Sequence, residues 1–179
     1  MKNIVYIATS LDGFIAKENG DLGWLMEAPN PDNSDFGFND FMESIDAIVM
    51  GKNTFEMVSS FGEWPYIKPV FVLSNSLEKV PENFKEKMEV ISGDPESIVK
   101  ELNSRKFNNL YIDGGITVQN FLKYDLIDEF IITRIPIILG KGIPLFGELE
   151  KEQKFEHIET EIFNNTLVKS KYRRIGRQV

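Results

Sequence analysis

Cysteine is absent from the 179 residues and His157 is the sole histidine, which removes disulfides, thiolate nucleophiles and the usual ligands of a zinc centre. Basic residues are outnumbered. Twenty Lys and Arg against 28 Asp and Glu leave a net charge of -8, the wrong sign for a chain that condenses onto nucleic-acid phosphates. The local exception, Lys169, Lys171, Arg173, Arg174 and Arg177, alternates along a last strand and reads as its solvated edge. No apolar run approaches the ~18 residues of a membrane span, and Met1-Lys2 lead directly into strand-like sequence instead of a signal peptide. The expectation is a cytoplasmic protein with no metal, membrane or nucleic-acid partner. A hydrophobic content of 42% over this length fits one globular domain, 1–179.

What is present is an alternation of strand and helix signals. "NIVYIAT" (3–9) is an apolar strand closed by the Asp12-Gly13 turn, and "FIA" resumes before Asn19-Gly20. From Ser34 onward, Phe38, Phe41, Met42 and Ile45 fall at i, i+3, i+4, i+7 and predict an amphipathic helix. "DAIVMG" suits a parallel strand buried on both faces, and Asn53 with Glu56 are spaced as a capping box for a helix from about Thr54. "PVFVLSNS" and "MEVISG" repeat the strand pattern, and Asp94-Pro95 mark the start of a helix that turns Ile98, Val99 and Leu102 inward. With "NNLYIDGG", residues 88–113 form a strand-helix-strand unit expected to give a parallel pair. After a helix burying Val118, Phe121 and Leu122, the segments "DEFIITRIPIILG", "FEHIETEIF" and "TLVKSKYRRI" are strand-like with no helix between, which predicts antiparallel additions. The fold class is α/β, one mixed sheet with flanking helices, and the loop from Gly20 to Asn33 is its longest irregular stretch.

Three strand ends carry similar signals: "MGKNT" (50–54), "LSNS" (73–76) and "DGGIT" (113–117). Ligands of open α/β sheets sit outside the carboxyl ends of the strands, where helix N-termini offer free N–H groups to anions. Each motif also reads as an ordinary capped helix or polar turn; their company is what suggests an extended phosphate-bearing ligand. The adjacent Gly114 and Gly115 imply a close approach to the backbone, by a phosphate or a flat ring, or a dihedral closed to other residues. A P-loop is missing, and "GKGIPLFG" has Leu145 where a dinucleotide fingerprint needs its third glycine.

"SLDGFIA", "IVMGKNTFE", "FVLSNS", "LYIDGGITVQNFL" and "PIILGKGIPLF" occur in the order and rough spacing of the dihydrofolate reductase-like superfamily, and the sequence most resembles the reductase domain of riboflavin biosynthesis and its stand-alone relatives. The resemblance implies a dihydrofolate reductase-like three-layer fold and an NADPH-dependent reductase acting on a small heterocycle, such as 5-amino-6-(5-phosphoribosylamino)uracil. It assigns cofactor contacts to Gly51, Lys52, Asn53 and Thr54, to Leu73, Ser74, Asn75 and Ser76, and to Gly114, Gly115, Ile116, Thr117 and Val118, with Ala8 and Ile15 lining the nicotinamide. Lys52 replaces the family's common arginine, keeping charge without the bidentate fork. Lys68 stands where folate reductases keep an arginine, which argues against true dihydrofolate reduction. Relatives commonly pair through sheet edges or their late strands, so the resemblance also implies a homodimer.

Hydride transfer to an imine or carbonyl needs a proton supplied nearby. Asp35 is the candidate: on a helix it shares the inward stripe of Phe38 and Met42, where desolvation raises a carboxyl pKa, and it resembles the first-helix acid of folate reductases. The competing reading places it in a first turn facing water. Trp24 and Phe38 are the candidate substrate contacts, although an indole in a loop also serves simply to cover core. A non-catalytic sensor that kept the nucleotide cleft is the alternative function.

Overall fold

The computed structural model describes residues 1–77 and 80–176. Its centre is an eight-stranded sheet in the order β5-β4-β3-β6-β1-β7-β10-β9, formed by β1 (Lys2–Thr9), β3 (Ala47–Gly51), β4 (Val70–Leu73), β5 (Met88–Ile91), β6 (Asn109–Asp113), β7 (Glu129–Arg134), β9 (Phe155–Phe163) and β10 (Leu167–Arg174). A separate two-stranded piece pairs β2 (Phe14–Ala16) with β8 (Ile143–Pro144). The helices are α1 (Gly23–Met26), α2 (Phe38–Ser44), α3 (Lys52–Ser59), α4 (Pro95–Ser104) and α5 (Gly115–Lys123), with a 3-10 turn at Glu82–Phe84.

Strand alternation divides the core into two layers. In β3, Ile48 and Met50 face α2 and α3 alongside Phe41, Met42, Phe55 and Tyr111. Ala47 and Val49 face the other way, toward α4 and α5, with Ile98, Leu102, Val118 and Phe121. Both faces of β3 are therefore dry, which is why its sequence is apolar at successive positions. Each fully buried Leu, Ile or Phe of this kind contributes roughly 1.5–3 kcal/mol. The result is a helix–sheet–helix sandwich around β4, β3, β6 and β1, with β10 and β9 extending beyond the helices.

Several expectations need correction. The first long helix starts at Phe38, not near Ser34, because Phe36 and Gly37 sit at φ +54° and +84°, outside helical space. The capping box does not form: α3 begins at Lys52 with Gly51 as N-cap and no side-chain cap, and Glu56 instead approaches Lys52 at 3.6 Å. Asp94 does cap α4, accepting from Ser97 N at 2.9 Å. Strands β5 and β6 share the sheet but are not neighbours, since β4 and β3 lie between them. Strand β7 pairs parallel with β1, and only β9 and β10 are antiparallel additions. The basic strand β10 is not the edge, because β9 covers it. Its Lys171 and Arg173 converge with Lys2 on the buried Glu129, and Arg177 lies outside the described residues.

Candidate active site

Strands β1 and β6 run parallel from Lys2↔Asn109 to Ile4↔Tyr111, after which β1 continues beside β7 as far as Thr9↔Arg134. The next long helix after β1, α2, packs on one face of the sheet, while the helix leaving β6, α5, packs on the other. Two adjacent parallel strands whose chains depart to opposite faces form a switch point, the place where such sheets open a crevice. The junctions singled out by sequence line up beside it. Gly51 is in register with Leu73 at the ends of β3 and β4, and Met50 with Asp113 at the ends of β3 and β6.

The β3 and β6 junctions interlock through their glycines. Gly114 has φ +87°, and a Cβ there would collide with Thr54 Oγ1 of α3. Reciprocally, a Cβ on Gly51 would lie 3.1 Å from Thr117 Oγ1 of α5. At Gly115 a Cβ would come within 2.5 Å of Ile15 Cδ1. The close approach inferred from the glycine pair is thus made by the chain's own Thr54 and Ile15, and the left-handed dihedral is needed at Gly114. This packing sets the N-termini of α3 and α5 side by side. Neither has a side-chain cap hydrogen bond, whereas α4, away from the crevice, is capped by Asp94. Two adjacent uncapped helix starts present free N–H groups and converging positive dipole ends.

Within that frame the assigned residues differ in what they offer. Asn53 and Ile116 are exposed; Lys52 keeps 36% side-chain exposure beside Glu56. Thr117 and Val118 are buried, and Val118 N already donates to Gly114 O at 2.9 Å, so Val118 supports the core and has no donor for a ligand. Leu73 is half-buried against the α4–α5 core. Ser74 spends its hydroxyl on the turn, accepting from Ser76 N at 3.1 Å and Leu77 N at 2.9 Å, which leaves Asn75 and Ser76 as the exposed groups there. Ala8 packs near Trp24, and Ile15 covers the glycine pair. Two surface clefts of about 330 and 460 Å³ lie elsewhere, one beside α2 and β10, the other below β4 and β5.

Asp35 does not occupy the inward stripe. It precedes α2, is exposed, and accepts from Gly37 N and Asn39 N at 3.0 Å each; those main-chain donors hold its carboxyl below the usual range. The premise of a desolvated acid at this position is therefore overturned. Trp24 is buried with Ile135 and Leu167, so it covers core, and its indole N–H has no partner among the described residues. Phe38 is half-buried against Tyr6, with ring centroids 5.7 Å apart.

The desolvated acid is Asp113. It ends β6, directly before the glycine pair, on the α2–α3 face shared with Tyr111. Burial pushes its carboxyl above the ordinary range, opposed by hydrogen bonds from Tyr66, Tyr111 and the Gly114 N–H. Tyr66 donates to Oδ2 at 3.1 Å. The sequence signal for it is an acid that closes the otherwise apolar "LYI" run and opens "DGGIT". Among the described residues no group of His, Cys, Asp and Glu could hold a metal ion, and no helix is long and apolar enough to cross a membrane.

Residues 2–169 match the RibD C-terminal domain family. A crystal structure of a putative riboflavin biosynthesis protein from Shewanella sp. PV-4 has a TM-score of 0.94 and 54% identity, covering 97% of this chain and 99% of that one. The uncharacterized protein YwjB of Bacillus subtilis (strain 168) is 38% identical over 170 residues, 93% of this chain and 94% of the relative. The diaminohydroxyphosphoribosylaminopyrimidine deaminase/5-amino-6-(5-phosphoribosylamino)uracil reductase of Thermotoga maritima shares the fold at TM-score 0.73 and 21% identity, covering 97% of this chain but 56% of that one. With its dihydrofolate reductase-like sheet and its match to the family over residues 2–169, the chain belongs to the RibD C-terminal domain family.

Proposed function

We propose that the protein is an NADPH-dependent reductase of a small heterocyclic or ribosylaminopyrimidine-type substrate, with the cofactor held across the β3, β4 and β6 strand ends. The observation that carries this reading is the pair of uncapped helix starts, α3 and α5, locked together by the Gly114–Thr54 and Gly51–Thr117 contacts. Lys52, Asn53 and Thr54 and the first N–H groups of α5 would hold the phosphates; Asn75 and Ser76 would border the far ribose; Ala8, Ile15 and the glycine pair would border the nicotinamide. Bound there, the reduced dinucleotide supplies the hydride. Burial pushes the Asp113 carboxyl above its ordinary range and the strand end sets it beside the glycine pair, which makes it the donor this reading requires.

The test is direct. NADPH at one hundred times its dissociation constant should stabilise the fold by about 2.7 kcal/mol, with a smaller shift for NADH at equal sub-saturating concentration. NADPH oxidation should then appear on adding 5-amino-6-(5-phosphoribosylamino)uracil, and not on adding dihydrofolate. Tight binding without oxidation of any aminopyrimidine or pterin offered would favour the sensor; no binding would remove both readings. A homodimer through the late strands is part of the same proposal.

A further inference from the structure

Asp113 is gripped from outside its own strand. Tyr66, in the segment 60–69 between α3 and β4, sends its hydroxyl to Oδ2 across 47 positions of sequence. Its ring is clamped: Trp64 meets it edge-on at 5.4 Å, and Trp64 is itself wedged against Phe55 of α3 at 6.0 Å and Phe84 at 5.0 Å. On the strand side, Tyr111 lies against the same carboxyl and donates its own proton to Tyr6 O at 3.0 Å. Tyr6 in turn donates to Phe36 O at 3.0 Å. The groups acting on Asp113 are therefore Tyr66 from the loop, Tyr111 from its own strand and the Gly114 N–H, with Tyr6 of β1 behind Tyr111; Asp35 and Glu161 act on Tyr6.

The polarity of these bonds is fixed. Burial pushes the Tyr66 and Tyr111 hydroxyls far above their ordinary range, so both remain O–H donors wherever the protein is folded. Tyr66 has Oδ2 as its acceptor, and Tyr111 divides its hydroxyl between Tyr6 O and the same carboxyl. A donor held on Oδ2 stabilises the ionised carboxyl and favours the proton on the oxygen that Tyr66 does not hold.

We infer that Tyr66 is a positioning residue for Asp113: its hydroxyl holds Oδ2 as an acceptor, favours the exchangeable proton on Oδ1, and helps set the pH at which that proton leaves. The Trp64-Pro65-Tyr66 segment is then a support for the acid, built from a loop that none of the three strand-end motifs predicts. This inference rests on the reading of Asp113 as the proton donor, and the experiment separates the two.

Protein labelled with carboxyl-¹³C aspartate is titrated by NMR, with the Asp113 signal identified by its loss in Asp113→Asn. Tyr66→Phe removes a donor to the carboxylate and is expected to raise the Asp113 midpoint by about one pH unit. Site-specific 3-fluorotyrosine at position 66, a stronger donor of nearly the same shape, is expected to lower it, and decides the question should the phenylalanine variant fail to fold. A midpoint unmoved in the folded variants overturns the inference. The pH–rate profile of NADPH oxidation should shift its alkaline limb in parallel. A profile that stays fixed while the NMR midpoint moves leaves the Tyr66 coupling standing and overturns Asp113 as the acid.

Discussion

Gly114 and Asp113 are adjacent and do opposite things: one gives up its side chain so that two helices can meet, the other buries a charge-bearing group where they do. Alanine at Gly114 meets both a positive φ and Thr54, so Gly114→Ala should cost about 1–3 kcal/mol in urea melts and weaken cofactor binding. Adding Thr54→Ala should recover only part of the stability, because the dihedral strain remains. The acid is tested by exchange for an amide. Asp113→Asn should lower kcat by about 10²–10⁴. Asp35→Asn, which keeps an acceptor oxygen for only one of Gly37 N and Asn39 N, should leave the pH profile in place. The sign of the pH effect on stability follows from the raised Asp113 pKa. The folded chain binds this proton more tightly than the unfolded chain, so the contribution of Asp113 is largest at low pH. It is lost as pH rises from the ordinary carboxyl value through the folded one. The stability difference between wild type and Asp113→Asn should fall across that window in urea melts and flatten above it; a difference that grows with pH would contradict the burial argument.

At the scale of elements, legibility followed locality. Strands such as "DAIVMG" were readable because both faces are buried, and α4 was readable because Asp94, Pro95 and Ile98 encode its start and its inward face within four positions. Sheet order was not readable: β5 and β6 flank one helix yet lie two strands apart, and nothing within residues 88–113 encodes what is inserted between them. Within the candidate site the glycine junctions can be read because they punctuate sequence, whereas Tyr66 cannot, since its contact with Asp113 spans 47 residues. Asp35 was misjudged because Phe36 and Gly37 break the helix that its stripe assumed. The two helices on the α4–α5 face offer a matched comparison. Leu102→Ala in α4 should cost about 2–5 kcal/mol without changing NADPH affinity, since α4 does not begin at the crevice. Val118→Ala in α5 should cost less stability, about 2 kcal/mol, yet weaken NADPH binding, because it loosens the helix whose first turn lies there. Equal affinities in both variants would detach α5 from cofactor binding.

At the scale of the whole molecule, the sandwich is asymmetric. Helices cover both faces from β4 to β1, but β9 forms a nine-residue edge that is exposed along all but its end residues. The edge itself is guarded: Glu156, Glu159 and Glu161 crowd like charges together when two β9 strands meet edge to edge, a disposition that opposes such growth. One face of the hairpin is different. Ile162 is in register with Val168 and Thr160 with Ser170, and Ile158, Ile162 and Val168 are exposed at 36%, 65% and 36%. The uncovered apolar surface is where the proposed second copy, which brings an identical face, would pack. If the proposed homodimer forms there, face to face, sedimentation equilibrium should give twice the 20.5 kDa chain mass at micromolar concentration. Ile162→Glu should return it to the monomer with its thermal melt at low concentration unchanged. A wild-type chain that sediments as a monomer throughout would refute the pairing, and a dimer indifferent to Ile162→Glu would move it to another face.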